Sequence, residues 1–155
     1  MAEQEAIVAG STFAYVIYIK TTPKDLWTAL TSPEFTQKYW NGAARQESDW
    51  RPGANWKMIF SDGRIANAGE VVECDPPRRL VLKWQNQFRP ELKEEGYSRC
   101  VFEIERQDDV AKLTVTHTIE RDNSKFIQAA SQGWPAILSN LKSLLETGKT
   151  ILPLN

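Results

Sequence analysis

The strongest constraint on the fold is a regular alternation of apolar and polar side chains within residues 42–120. Successive side chains of a β-strand point to opposite faces, so an alternating run places its apolar members on one face of a sheet. The apolar positions are Trp56, Met58 and Phe60; Leu80, Leu82 and Trp84; Cys100, Phe102 and Ile104; and Leu113, Val115, His117 and Ile119. The pattern predicts an antiparallel sheet with one covered face and one face in water.

Turn sequences divide this region into about six strands. The breaks are Arg51-Pro52-Gly53, Ser61-Asp62-Gly63, Asp75-Pro76-Pro77 and Gln107-Asp108-Asp109. Residues 13–19 are aromatic and β-branched, which predicts a further strand before them. Residues 89–96 are charged and do not alternate, so we expect a longer mobile loop there.

Two short helices are predicted between the first strand and the meander. Thr22 suits an N-cap, Pro23 suits the first helical position, and Asp25 completes a spacing like that of a capping box. Ser32 and Pro33 repeat the pattern at once.

A long helix is predicted at the C-terminus. Apolar residues recur there at spacings of three and four, namely Ile127, Ala130, Trp134, Ile137 or Leu138, Leu141, and Leu144 or Leu145. Gly148 suits the position after the helix. Because Gly133-Trp134-Pro135 interrupts the stripe, we expect a short helix from about Ser124, then a kink or restart and a long part over residues 134–147. One helix on one apolar sheet face is an α+β arrangement.

Size and charge limit the possible partners. A chain of 155 residues fits one domain, expected over residues 1–155 with its core at about residues 11–148. Lys and Arg total 19 against 20 for Asp and Glu, which argues against nucleic-acid and membrane-surface binding. An acidic start and the lack of a long apolar stretch favour a cytoplasmic location. Cys74 and Cys100 are expected to be reduced, partly buried thiols.

The order of these elements resembles the helix-grip fold of the START-like (SRPBCC) superfamily, which includes plant pollen allergens and polyketide cyclases. Four segments resemble the bacterial proteins named after the activator of Hsp90 ATPase: PKDLWTALTSPE from Pro23, GEVVECDPPRRL from Gly69, LTVTH from Leu113 and GWPAILSNLKSLLETG from Gly133. The likeness extends over residues 13–148. It implies a curved antiparallel sheet wrapped around the C-terminal helix, and a cavity between them, where members of the superfamily hold lipids, hormones or polyketides.

Several inward-facing residues are candidates for lining such a cavity, because ligand sites are mostly apolar and aromatic with few polar anchors. They are Trp40, Trp56, Met58, Trp84, Phe102, His117, Trp134, Ile137, Leu138 and Leu141. The alternative is that the tryptophans fill a core and that His117 is a hydrogen-bonded structural histidine. His117 is the one histidine of the sequence and has no second ligand near it, so no metal site is predicted.

The leading functional hypothesis is a binding protein for a small hydrophobic or amphipathic ligand. A chaperone-associated interaction module is the first alternative, with the outer sheet face or residues 91–95 contacting a protein partner; a homodimer is also possible. The second is a cofactor-independent cyclase or dehydratase, which requires a polar pair inside the cavity. The sequence has no nucleotide-binding or nucleophile motif, so no cofactor and no catalytic residue are predicted.

Overall fold

Seven antiparallel strands and one long helix dominate the fold, which a computed structural model describes for residues 10–154. The strands are β1 (Ser11–Ile19), β2 (Arg45–Ser48), β3 (Asn55–Ile59), β4 (Ile65–Asp75), β5 (Arg79–Asn86), β6 (Ser98–Gln107) and β7 (Val110–Ile119). The helices are α1 (Pro23–Thr31), α2 (Pro33–Tyr39), α3 (Pro90–Lys93) and α4 (Lys125–Thr147), with a 3₁₀ turn at Asn41–Ala43. The six-strand meander, the two short helices and the long C-terminal helix are thereby confirmed.

The strands form one sheet in the order β1-β7-β6-β5-β4-β3-β2. The predicted inner positions on β3, β5, β6 and β7 are buried, and they pack against α4, α1 and α2. The outer face carries charges instead, since Arg79 pairs with Glu73 (3.1 Å) and Glu103 (2.8 Å). The predicted division of the sheet into a covered face and a solvent-exposed face is therefore confirmed.

The first short helix is capped as predicted, because the Asp25 backbone N–H donates to Thr22 Oγ1 at 3.1 Å. Ser32 lies at the N-cap of α2, but its hydroxyl donates to Glu34 Oε2 (3.3 Å) and caps no backbone N–H. The buried Tyr39 hydroxyl donates to the Ala29 carbonyl at 2.9 Å and so joins α2 to α1.

Residues 89–96 connect two strands as expected, but the segment is not irregular throughout, because α3 lies inside it. Pro90 begins this helical turn, and Leu92 is buried under the charged residues around it. Glu95 fastens the segment to the start of α4: its carboxylate accepts hydrogen bonds from the Ser124 hydroxyl (2.6 Å) and from the backbone N–H groups of Lys125 (2.9 Å) and Phe126 (3.2 Å).

The expected restart near Pro135 is wrong, because α4 continues as one helix from Lys125 to Thr147, whereas the alternative of a kink stays a prediction. A proline inside a helix costs roughly 3 kcal/mol. Apolar residues on both sides of Pro135 are buried against the sheet, including Ile127 and Leu138, and their burial offsets that cost. Ser124 caps the start of the helix and Gly148, in the left-handed conformation, follows its end.

Cys74 is half-buried on β4 and Cys100 is buried on β6, and both are free thiols. Burial raises the pKa of the Cys100 thiol well above its usual value.

None of the helices within residues 10–154 is both long and apolar enough to cross a membrane.

Candidate functional site

A cavity of about 230 Å³ lies between the end of β5, α3 and the first half of α4. It is lined by Trp40, Asn41, Asn67, Trp84, Asn86, Phe88, Arg89, Leu92, His117, Phe126, Ala129, Ala130, Gly133, Trp134 and Ile137. The exposed residues Asn41, Phe88 and Arg89 form its mouth, and buried aromatic rings form its interior.

Three tryptophan rings form the aromatic wall of the cavity. The ring centres of Trp40 and Trp134 are 5.2 Å apart and nearly perpendicular. Trp84 lies 6.1 Å from Trp40 and 5.8 Å from Trp134. These separations are within the range in which aromatic pairs attract each other, so the three rings hold one another in place.

The structure brings five of the ten candidate residues together at this cavity: Trp40, Trp84, His117, Trp134 and Ile137. The other five, Trp56, Met58, Phe102, Leu138 and Leu141, are buried in the core and are not part of its lining. Trp56 is a packed core residue whose indole N–H donates to Gln46 Oε1 at 2.8 Å. Ligand binding by any of the ten remains a prediction.

His117 is held by a directed chain of hydrogen bonds. The Trp134 indole N–H donates to His117 Nδ1 (3.2 Å), so Nδ1 carries no proton. The neutral ring therefore carries its proton on Nε2, which donates to Ser98 Oγ (2.8 Å). The Ser98 hydroxyl in turn donates to the Trp84 carbonyl at 2.9 Å. Every polar atom of the imidazole has a partner.

Burial lowers the pKa of His117 to about 3. The ring is 1% exposed, so its charged form loses nearly all its hydration. The Ser98–His117 pair resembles a nucleophile with its base, but a general base needs a free lone pair on Nε2, and that nitrogen holds the proton. The pair is therefore arranged as a structural link between β6, β7 and α4.

Sequence reasoning missed the asparagine side chains of the cavity. Asn86 lies on β5 at the same parity as Leu82 and Trp84, so extending that alternation by two residues would have found it. Its Oδ1 accepts hydrogen bonds from the backbone N–H groups of Phe88 (3.2 Å) and Arg89 (2.9 Å). Asn67 lies beside a register shift in the β3–β4 pairing, and no simple alternation predicts its burial.

Solved structures with the same fold come from several bacteria. Protein MLL2253 from Mesorhizobium loti matches with a TM-score of 0.74 at 20% identity, over 88% of this chain and 97% of its own. The Aha1 dimer from Colwellia psychrerythraea gives 0.72 at 19% identity, over 90% and 98%. CalU16 from Micromonospora echinospora gives 0.68 at 18% identity, over 88% and 77%. These matches confirm the helix-grip fold.

The sequence itself matches no curated protein. Residues 20–146 match the family model described as activator of Hsp90 ATPase homolog 1-like protein. That range contains three of the four segments that carried the resemblance, and most of the fourth. Because the model spans most of the chain, the protein belongs to the family of activator of Hsp90 ATPase homolog 1-like proteins.

Proposed function

We propose that this protein binds one small, mainly apolar molecule in the cavity between the sheet and α4. The observation that carries the proposal is the aromatic wall of Trp40, Trp84 and Trp134 around an unfilled volume. Protein interiors are packed as densely as organic crystals, whereas this pocket is open at its mouth, so a ligand that fits would cover ring surface that otherwise faces solvent.

The volume limits the size of the ligand. Sites for drug-sized molecules measure roughly 300–1,000 Å³, while an apolar cavity of about 150 Å³ is large enough for benzene. At about 230 Å³ this cavity suits a molecule of one or two rings. Burial of apolar area, at roughly 25 cal/mol per Å², supplies the binding free energy.

The arrangement of His117 favours binding over catalysis. Its neighbours in the hydrogen-bond chain are Ser98 and Trp134, so the site lacks the acid–base pair that a cyclase or dehydratase requires. His117 instead fixes the Trp134 ring against the cavity.

Gly133 offers a direct test, because a side chain there enters open space: apart from its chain neighbours and the backbone of its own helix, no heavy atom lies within 4 Å of where its Cβ would be. Gly133→Leu should occupy the cavity and abolish binding while the helix is retained. Gly133→Ala is the matched control, since it makes the same change of backbone freedom with little bulk.

Binding is measured by intrinsic tryptophan fluorescence during titration with small aromatic and alicyclic compounds, and by native mass spectrometry of the freshly purified protein. We expect a saturable response in the wild type and in Gly133→Ala, and none in Gly133→Leu. Equal responses in wild type and Gly133→Leu would contradict the proposed site. The same mass spectra report a homodimer or a bound protein as separate species.

A further inference from the structure

Two buried hydrogen-bond donors at the cavity lack an acceptor within residues 10–154. Trp40 is 8% exposed, and its indole N–H donates to none of these residues. Buried Trp56, Trp84 and Trp134 all use theirs, on Gln46, Asn67 and His117 respectively. Buried indole N–H groups normally find a partner, so Trp40 is the exception.

Asn86 supplies the second free donor. The side chain is 7% exposed, and its orientation is settled because Oδ1 accepts from two backbone N–H groups. Its Nδ2 is then the free end of the amide, and it donates to no residue in the described part of the chain. A buried amide nitrogen without a partner costs about 1–3 kcal/mol.

Each acceptor atom among the buried side chains of the cavity already accepts at least one hydrogen bond. Asn67 Oδ1 accepts from the Trp84 indole (2.9 Å), His117 Nδ1 accepts from Trp134, and Asn86 Oδ1 accepts twice. The interior thus presents two unpaired donors beside side-chain acceptors that are already engaged, and among these only Asn67 Oδ1 keeps a second lone pair. A complementary ligand brings an acceptor oxygen and needs no donor of its own.

The charges around the cavity narrow the class of ligand further. The guanidinium of Arg89 lies at the exposed mouth and is already paired with Glu91 at 3.0 Å. The buried lining contains no cation, since His117 is neutral. A carboxylate would enter without a buried counter-charge, which is far more costly than burying a carbonyl that accepts hydrogen bonds.

We propose that the ligand is an uncharged cyclic carbonyl compound whose oxygen accepts hydrogen bonds from Trp40 Nε1 and Asn86 Nδ2. This inference rests on the proposed function and specifies its ligand. The rings of the ligand pack against the aromatic wall, while the two donors select the carbonyl.

The test compares 1-indanone with indane, which has the same ring skeleton without the oxygen, and with benzoate, which carries a charge. Calorimetric titration at pH 8 should give 1-indanone the highest affinity, by about threefold to tenfold for each hydrogen bond gained. The Trp40 indole proton should move downfield in NMR spectra with 1-indanone and not with indane.

Two variants assign the donors. Trp40→Phe keeps an aromatic ring and removes the N–H. Asn86→Asp keeps the oxygen that holds the Phe88 and Arg89 backbone and replaces the free amide nitrogen by an acceptor. Each should reduce the preference for 1-indanone over indane by about threefold to tenfold, the share of the one hydrogen bond it removes, and either alone suffices if the other fails to fold. Trp27→Phe, on α1 away from the cavity, should keep it.

Equal binding of 1-indanone and indane by the wild type would overturn the carbonyl proposal while leaving the proposed function intact. Tighter binding of benzoate than of 1-indanone would overturn the choice of an uncharged ligand. If no compound binds to the wild type, the proposed function fails and this inference fails with it.

Discussion

Lowering the pH from 8 to 5 should destabilise this fold through His117, the one histidine in the sequence. In the folded state its pKa is lowered to about 3, because burial removes the hydration of the charged ring. In the unfolded chain it is solvated and titrates near 6.5. The unfolded state therefore binds more protons throughout this interval, and stability must fall as the pH falls.

The magnitude follows from the two pKa values. The stability that neutral His117 contributes is fully present above pH 6.5 and is lost progressively as the pH falls to about 3. Each pH unit below 6.5 costs about 1.4 kcal/mol, so the loss from pH 8 is about 0.8 kcal/mol at pH 6 and about 2 kcal/mol at pH 5. The loss at pH 5 depends almost entirely on the unfolded value, since the folded value lies well below that pH.

Urea denaturation monitored by tryptophan fluorescence at several pH values from 8 to 5 measures this loss. His117→Gln is the matched control, because an amide can accept from Trp134 and donate to Ser98 without titrating. The control should be less stable at pH 8 but lose about 2 kcal/mol less on acidification, and the difference between the two curves isolates the histidine. Parallel curves would refute the assignment of His117 as a buried neutral ring.

Gly133→Ala should stabilise the protein by up to about 1 kcal/mol and raise Tm by about 2–4 °C, because Gly133 is helical and faces open space. A lower Tm would contradict the open space beside Gly133. Gly69→Ala should instead lower the free energy of unfolding by about 1–3 kcal/mol in urea titration, because the added Cβ would collide with the Lys83 backbone carbonyl. An unchanged urea midpoint would contradict that close approach. Glu95→Gln should lower the free energy of unfolding by about 1 kcal/mol by weakening the hydrogen bonds at the start of α4, whereas Glu94→Gln at an exposed position should leave it unchanged. Equal effects of the two variants in thermal melts would argue against the anchoring role of Glu95.

The alternation of side chains predicted the sheet well because it is a local property. Each of Leu80, Leu82 and Trp84 faces inward for the same reason, namely the period of two in a strand. Capping was predicted where the donor and acceptor are close in sequence, as with Thr22 and Asp25. The same local reasoning failed at Pro135, where contacts with distant strands outweigh the local cost of a proline.

The candidate site was predicted only in part. Periodicity assigns a residue to a face of the sheet, but it does not say whether the residue lies in the packed core or beside the cavity. Trp56 and Trp84 therefore looked alike in the sequence. In the structure Trp56 meets Gln46 in the core, whereas Trp84 borders the cavity. Asn86 continues the inner parity of β5, yet its free amide nitrogen becomes apparent only once the partners of Oδ1 are known.

Sequence patterns alone predicted the order of the strands and of the long helix, and the covered faces of β3, β5, β6 and β7, because these depend on neighbours within a few residues. Three properties became apparent only from the three-dimensional arrangement: which inward rings border the cavity, which buried donors lack acceptors and where the proton of His117 lies. Those properties depend on how α3, α4 and the end of β5 meet in space. Contacts of that kind join residues far apart in the chain, and no local spacing encodes them.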